Sequence, residues 1–272
     1  MIKYIGSKRR LVPLLSDLFV RSGSSSALDM FSGTTRVAQA FKARGAHVTA
    51  VDITRYGEVL AGCYVATDSD RVDMDHLAVE VDRLNGLAGH AGYFTETFCR
   101  DARYVQPFNG ERVDAIRDHL EGRRDDPLFP VLLSSLVEAA DRVDSTTGVQ
   151  MAYLKNWAPR SHNRLELRVP DLLQGPGTAV RGNAVDLAAG LGPFDLAYLD
   201  PPYNQHRYIA NYHVWETLVA WDAPEHYGIA NKRVECREPH ASSPFNRKPL
   251  MPDALRSVIA DVNARIVVLS YN

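Results

Sequence analysis

The sequence predicts an α/β protein in which an open parallel sheet is interrupted by a mainly helical insertion, and three observations carry that prediction. Leu196-Ala197-Tyr198-Leu199 reads as a buried strand that ends abruptly at Asp200-Pro201-Pro202-Tyr203. Near the start, the strand Ala27-Leu28-Asp29-Met30-Phe31 runs through Ser32-Gly33-Thr34-Thr35 into a helix over 36–44. A second strand, Val48-Thr49-Ala50-Val51, then ends at Asp52, which completes a βαβ unit. Between these two features, from about 68 to 176, the apolar spacing is helical and the side chains are rich in aromatics and arginine.

Composition narrows the class. With 45% hydrophobic and 24% charged residues in a chain of 272, a sizeable core is available, and no apolar run approaches the roughly 18 residues of a membrane span. The start has no signal-peptide pattern. Cys63, Cys99 and Cys236 lack CxxC spacing, so neither a disulfide framework nor a zinc site is expected, and a reducing cytoplasmic setting follows. The nine histidines show no ligand spacing, so no metal is assigned. Net charge is −2, yet Lys3, Lys8, Arg9 and Arg10 meet no acid in the first ten residues. Lys155, Arg160, Arg164 and Arg168 face only Glu166, and 231–248 is basic as well. Basic patches on a nearly neutral protein suit a polyanion gripped on one face.

Taken in order, a basic loop over 3–10 leads into a helix of about 9–20. Gly45 C-caps the helix after the first strand. Helical patterns follow over 58–66 and 72–84, an irregular aromatic stretch over 93–109, and helices over 111–120 and 127–142. Gly175-Pro176-Gly177 closes the insertion. The sheet resumes at Thr178-Ala179-Val180-Arg181, and Gly182-Asn183 leads into a short helix. After the Asp200 strand come a helix over 212–221, the basic loop 231–248, a helix near 253–263 and a last strand over 265–270. The expected division is therefore a sheet domain of 1–67 and 177–272 with an inserted target-recognition region of 68–176.

The chemistry gathers at strand ends. Ligands of open α/β sheets collect beyond the carboxyl ends of the strands, so Asp200 faces the cleft. Two prolines remove two amide donors, which leaves a carbonyl such as that of Pro201 to accept from a ligand. Tyr203 offers a flat face. An acid, a free carbonyl and an aromatic platform suit a planar ring carrying an amino group, and adenine, cytosine and a carboxamide all qualify. Taken alone, the tetrapeptide also fits an ordinary strand-terminating turn. Asp52 lies 23 residues after Asp29, close to the spacing at which a carboxylate reaches ribose hydroxyls. A full GxGxxG is missing, which fits a nucleoside without a pyrophosphate, and Gly33 lets the backbone approach it. Aromatic, amide and guanidinium side chains mixed over 151–170 suit base-edge and phosphate contacts.

Lys3-Tyr4-Ile5-Gly6-Ser7-Lys8, Asp29-Met30-Phe31-Ser32-Gly33, Asp52 and Asp200-Pro201-Pro202-Tyr203 together resemble the adenine-specific DNA methyltransferases of the Dam-like group. Tyr93-Phe94-Thr95-Glu96, Met151-Ala152-Tyr153-Leu154-Lys155 and Asn211-Tyr212-His213-Val214-Trp215-Glu216 are similar to the FokI-type modification enzymes. Four motifs in the family's order span nearly the whole chain. Thr35 stands where a second glycine is usual, and Asn183 where an aspartate often contacts the cofactor's adenine.

The resemblance implies a Rossmann-like, S-adenosylmethionine-dependent methyltransferase fold with an inserted DNA-recognition region. It implies methyl transfer to the exocyclic amino group of adenine in double-stranded DNA, with a flipped target base and a cognate restriction endonuclease as expected partners. Carried over, Tyr4, Lys8, Asp29, Phe31, Gly33, Asp52, Asn183 and Asp200 hold the cofactor. Asp200, Pro201, Pro202 and Tyr203 form the catalytic motif, and Tyr203, Tyr212, Lys155, Arg160 and Arg164 meet DNA. The rival readings are a methyltransferase of RNA or of a protein amide, and a DNA-binding subunit without turnover. A nicotinamide-dependent reductase is disfavoured by the missing GxGxxG.

Overall fold

The computed structural model describes residues 2, 8–202, 207–241 and 243–270. In chain order, helix α1 (Val12–Arg21) leads to strand β1 (Ser26–Asp29), α2 (Arg36–Lys42), β2 (His47–Asp52) and α3 (Arg55–Ala61), which continues as a π-helical turn over Gly62–Ala66. The chain then leaves the sheet for α4 (Met74–Asn85), a π-helical segment (Thr95–Asp101), α5 (Pro107–Glu121) and α6 (Phe129–Val143). It returns with β3 (Gly177–Arg181), α7 (Ala184–Leu187) and β4 (Phe194–Leu199). It departs again for α8 (Tyr208–Asn211), α9 (His213–Ala220) and a ribbon of β5 (His226–Tyr227) and β6 (Lys232–Arg233), and closes with α10 (Met251–Asp261) and β7 (Ala264–Leu269).

These segments sort into two compact units. One spans Gly6–Val72, Asp171–Arg207 and Ser242–Asn272, and the other includes Asp73–Pro170 and Tyr208–Ala241. The helical unit thus takes up 208–241 besides the span expected from sequence, because α9 packs its apolar side there. No helix among the described residues is long and apolar enough to cross a membrane.

The sheet unit is Rossmann-like. Its five strands run in the order β3-β2-β1-β4-β7 with every neighbouring pair parallel. Parallel strands covered on both faces need side chains that are apolar in both directions, and β1 and β4 supply them by alternation. Ala27, Leu196 and Tyr198 turn to one face, against Leu15 and Phe19 of α1 and Val37 and Phe41 of α2. Leu28, Ala197 and Leu199 turn to the other, against Ala184, Phe245 and the α10 residues Ala254 and Val258. The opposite end of the sheet is fastened by Asp195, whose carboxylate accepts from the amides of Ser25 and Ser26 at 2.8 and 3.0 Å and from both hydroxyls. Those bonds hold its pKa down at about 2. Gly177 opens β3 where a Cβ would stand 2.3 Å from the Val65 carbonyl oxygen, so only glycine fits.

The helical unit is held by buried polar side chains at helix ends. Asp114 of α5, fully buried, accepts from the amides of Gly92, Phe94 and Thr95 at 2.9, 3.1 and 2.9 Å and from the Thr95 hydroxyl. It thereby caps the π-helical segment in the stretch that the sequence predicts as irregular. Helix α9 is capped at both ends from a distance. Gln150 Oε1 accepts from Val214 N at 2.9 Å, and the Arg117 guanidinium donates to the carbonyls of Leu218 and Val219 at 3.0 and 3.1 Å. His213 lies wholly inside this unit, its Nε2 2.9 Å from the Gln150 carbonyl, and burial pushes its pKa down to about 3. The Asn211–Glu216 motif is thus a packed helix start.

Asp114→Ala leaves several buried donors without an acceptor, so we expect it to cost about 3 kcal/mol or more. A urea denaturation midpoint equal to that of the wild type would show that the cap does not hold this unit together.

Candidate active site

Three strands of the sheet unit end in carboxylates. Asp29 closes β1, Asp52 closes β2, and Asp200 directly follows β4. Because β1 lies between β2 and β4, this places three acids along one edge of a parallel sheet. Asp200 and Asp52 both act on Asp29 through their charge.

Asp52 is the junction of that edge. Its Oδ2 accepts from Gly33 N at 2.8 Å, and its Oδ1 accepts from Thr54 N at 2.8 Å and from the Thr54 hydroxyl at 2.6 Å. Its own carbonyl accepts from Gly182 N at 2.9 Å, just beyond β3. Burial raises its pKa, while the Thr54 and Gly33 bonds pull it back. A carboxylate offers about four acceptor positions, so capacity remains for a ligand hydroxyl. Sequence reasoning missed the residue that makes room for it: a Cβ on Gly57 would sit 2.6 Å from Asp52 Cγ. The only sequence signal is a glycine directly before the helical pattern of 58–66.

Asp29 is 1% exposed, and its Oδ2 accepts from Ala38 N at 3.1 Å. Its Oδ1 has no hydrogen-bond partner among the described residues. Desolvation first, and the Asp200 charge second, push its pKa up to about 8, so at neutral pH this carboxyl holds its proton. Asp200 is likewise raised by burial, against the pull of Lys8, whose Nζ lies 2.9 Å from Asp200 Oδ1. Lys8, expected from the resemblance at the cofactor, is therefore found beside the acid of the catalytic motif. Pro201 is buried and Pro202 half-buried. Tyr4 and Tyr203 lie outside the described residues.

The loop after β1 turns through Gly33 at φ 49° and Thr35 at φ 60°. Thr35 keeps the left-handed backbone of the glycine usual at that place, a conformation that costs a β-branched residue roughly 1–3 kcal/mol. Its hydroxyl donates to the Thr34 carbonyl at 2.7 Å and accepts from Gln39 Nε2 at 2.8 Å. Phe31, half-buried, meets Phe245 edge-on at 5.1 Å between ring centroids. Phe245 belongs to the stretch that the sequence reads only as a basic loop. Asn183 N-caps α7, its Oδ1 accepting from Val185 N at 3.3 Å, and the amide nitrogen of that side chain still offers donors.

The residues expected at DNA lie in the helical unit and fare differently. Tyr212 is 1% exposed and packs inside this unit at the N-terminal end of α9. Arg160 donates to Asp144 and to the Thr146 carbonyl at 2.6–2.9 Å, which braces the loop, and its side chain stays 35% exposed. Asp144, 2% exposed, is the anchor that sequence spacing did not single out. Lys155 and Arg164 are exposed. No group of three or more metal-ligating side chains occurs among the described residues.

A family model for D12 class N6 adenine-specific DNA methyltransferase matches residues 4–242. The chain is 28% identical to the modification methylase StsI of Streptococcus sanguinis and 29% identical to the type II methyltransferase M.NlaIII of Neisseria lactamica, all of this chain being covered in both cases. It is 25% identical to the type II methyltransferase M.FokI of Planomicrobium okeanokoites, again over its whole length. The chain spans 83% of the NlaIII enzyme but only 44% of the StsI and FokI proteins. No solved structure matches it significantly.

The Asp29 carboxyl makes a prediction about pH. From about pH 4 to about pH 8 the folded chain keeps a proton that the unfolded chain has released, so this group lowers stability as pH rises across that range. Asp29→Asn retains an acceptor for Ala38 N and removes the titration. Urea midpoints measured between pH 5 and 8 should therefore fall less steeply for the variant than for the wild type. Parallel profiles would mean that Asp29 is ionised in the folded protein.

Proposed function

Because the chain belongs to the D12 class of N6 adenine-specific DNA methyltransferases, we propose that it transfers a methyl group from S-adenosylmethionine to the N6 amino group of an adenine in a specific double-stranded DNA sequence. Its biological setting is the modification arm of a restriction system, with a cognate endonuclease as partner. The observation that carries this reading is Asp200, a largely buried acid paired with Lys8 at the carboxyl end of β4 and followed by two prolines.

The chain's own residues suit that cofactor. Asp52 has acceptor capacity left for ribose hydroxyls, Gly33 permits close backbone approach, Asn183 offers amide donors, and Phe31 supplies an aromatic wall. S-adenosylmethionine, when bound, provides a methyl group on a positively charged sulfur. The adenine amino nitrogen is a poor nucleophile because its lone pair is delocalised into the ring. Asp200 and the Pro201 carbonyl accept hydrogen bonds from its two hydrogens, draw the nitrogen toward tetrahedral geometry and stabilise the charge that develops. Once the nitrogen carries the methyl group, one of those hydrogens leaves as a proton by way of Asp200. Catalysis is then positioning and electrostatics, with no covalent enzyme intermediate. Lys8 opposes the rise in the Asp200 pKa that burial causes and so favours its ionised form. The target base leaves the duplex, and Tyr203 stacks on it.

The test is to incubate the chain with duplex DNA and a labelled methyl donor, digest the DNA to nucleosides and map the product. N6-methyladenine at one short sequence is the expected result, and label appearing only in RNA or protein would overturn the reading. Asp200→Ala should remain folded and lose turnover. Asp52→Ala forfeits charged hydrogen bonds worth about 1.5–3 kcal/mol, so its cofactor dissociation constant should rise about ten- to a hundredfold. Tyr203→Phe should keep base flipping, read as 2-aminopurine fluorescence at the target, while Tyr203→Ala loses it.

A further inference from the structure

The helical unit contains a pocket of about 380 Å³ that the active site does not use. Its wall includes Arg142, Asn163, Arg164, Glu166 and Arg168 over a floor with Val143. Three guanidinium groups and one carboxylate are among the lining, and a second carboxylate, that of Glu138, lies 4.0 Å from the Arg142 guanidinium.

How the chain presents these groups is the telling part. Over Arg164–Arg168 the side chains alternate: Leu165 and Leu167 are buried, while Arg164, Glu166 and Arg168 are exposed. That is the period of a strand, yet no strand pairs with it. Side chains from three helices take the place of a ladder. Leu165 N donates to Asn109 Oδ1 at 2.7 Å, and Asn85 exchanges two bonds with the Leu167 backbone at 2.8 and 3.0 Å. The Ser135 hydroxyl accepts from Arg168 N at 3.0 Å and donates to its carbonyl at 2.6 Å. Arg112, 8% exposed, closes the clamp by donating to the carbonyls of Leu165 and Asn85 at 3.1 and 3.0 Å. Arg142 reaches in from the end of α6 and donates to the Glu166 carbonyl at 2.6 Å.

The backbone under Arg164 and Arg168 is therefore fixed, and both side chains stand two positions either side of Glu166 on one face. Holding like charges together in this way biases the rim toward positive potential, and Arg112 beneath it has its pKa lowered by burial first and by the nearby Arg164 second, with Glu166 opposing. Planar guanidinium forks on a rigid support match the oxygens of a phosphate group.

We propose that this pocket is a phosphate-binding site formed by Arg164 and Arg168, and that it grips a phosphodiester of the DNA backbone. The assignment of the phosphate to DNA rests on the function proposed above. The same chemistry occurs in a free nucleotide, and the experiment separates the two sources.

Arg164→Gln, Arg168→Gln and the double variant are suited to the test, because both side chains are exposed and the clamp beneath them uses backbone groups. Duplex affinity is read by fluorescence anisotropy on the whole chain at several salt concentrations, for a duplex with the methylated sequence and for one without it. Each single variant should lose about tenfold in affinity on both duplexes, and the slope of log affinity against log salt should shallow by about 1. Glu166→Gln should shift affinity the opposite way. If adenosine triphosphate and inorganic phosphate instead bind the wild type, with binding lost in the double variant while duplex affinity stays intact, the pocket is a phosphate site supplied by a free ligand. Unchanged duplex affinity and salt slope, together with no phosphate binding by the wild type, would overturn the site. Wild-type protein that methylates no duplex defeats the functional reading instead, a separate result.

Discussion

The carboxylate of Asp52 is the contact on which the edge of the sheet depends. It joins the glycine loop after β1 to the N-terminus of α3, and its carbonyl holds the exit from β3. A single acid thus sets the relative positions of the loops that follow three neighbouring strands. That economy explains why its surroundings are so restricted: Gly57 has no room for a Cβ because the Asp52 side chain fills the space. It also means that Asp52 has two tasks, ordering the loops and receiving a ligand, and that a substitution there disturbs both.

Beside it, burial and charge act on Asp29 and Asp200 in a graded way. Both are desolvated, but Lys8 stands next to Asp200 and no cation is among the influences on Asp29. The acid in the middle of the row is therefore pushed up to about 8, while at the end of β4 Lys8 pulls against the rise. Two similar side chains on adjacent strands are set apart by one lysine from a loop some 190 residues upstream in the chain.

Much of this was legible in the sequence, because parallel strands write themselves as short apolar runs ending in turn residues. β1, β2, β3, β4 and β7 all fall within a residue or two of their expected places, and the acids that end β1 and β2 were singled out for position. What was not legible depends on partners far away in the chain. The segment 95–101 reads as irregular because its cap is Asp114, supplied by a later helix. Asn211–Glu216 resembles a functional motif, yet Gln150 and Arg117 make its helix a buried element. Arg160 and Arg164 look alike in a basic run, and only the fold shows that Asp144 occupies the first and leaves the second at a pocket rim. A linear pattern records which residues are charged, not which of them already have a counter-ion.

The order of the strands has a consequence for how the protein is made. β3 is an edge strand that pairs only with β2, yet it begins at Gly177, more than a hundred residues after β2 ends at Asp52. At roughly 5–20 residues per second of synthesis, β1 and β2 leave the ribosome and wait on the order of ten seconds for their next strand. During that interval β2 offers a bare row of backbone donors and acceptors, the kind of edge that recruits stray chains. The helices of 74–143 close locally and need no such wait. The nascent chain therefore has its helices of 74–143 in hand while its sheet is still two strands wide, and shielding that unfinished edge falls to whatever meets the chain in the interval.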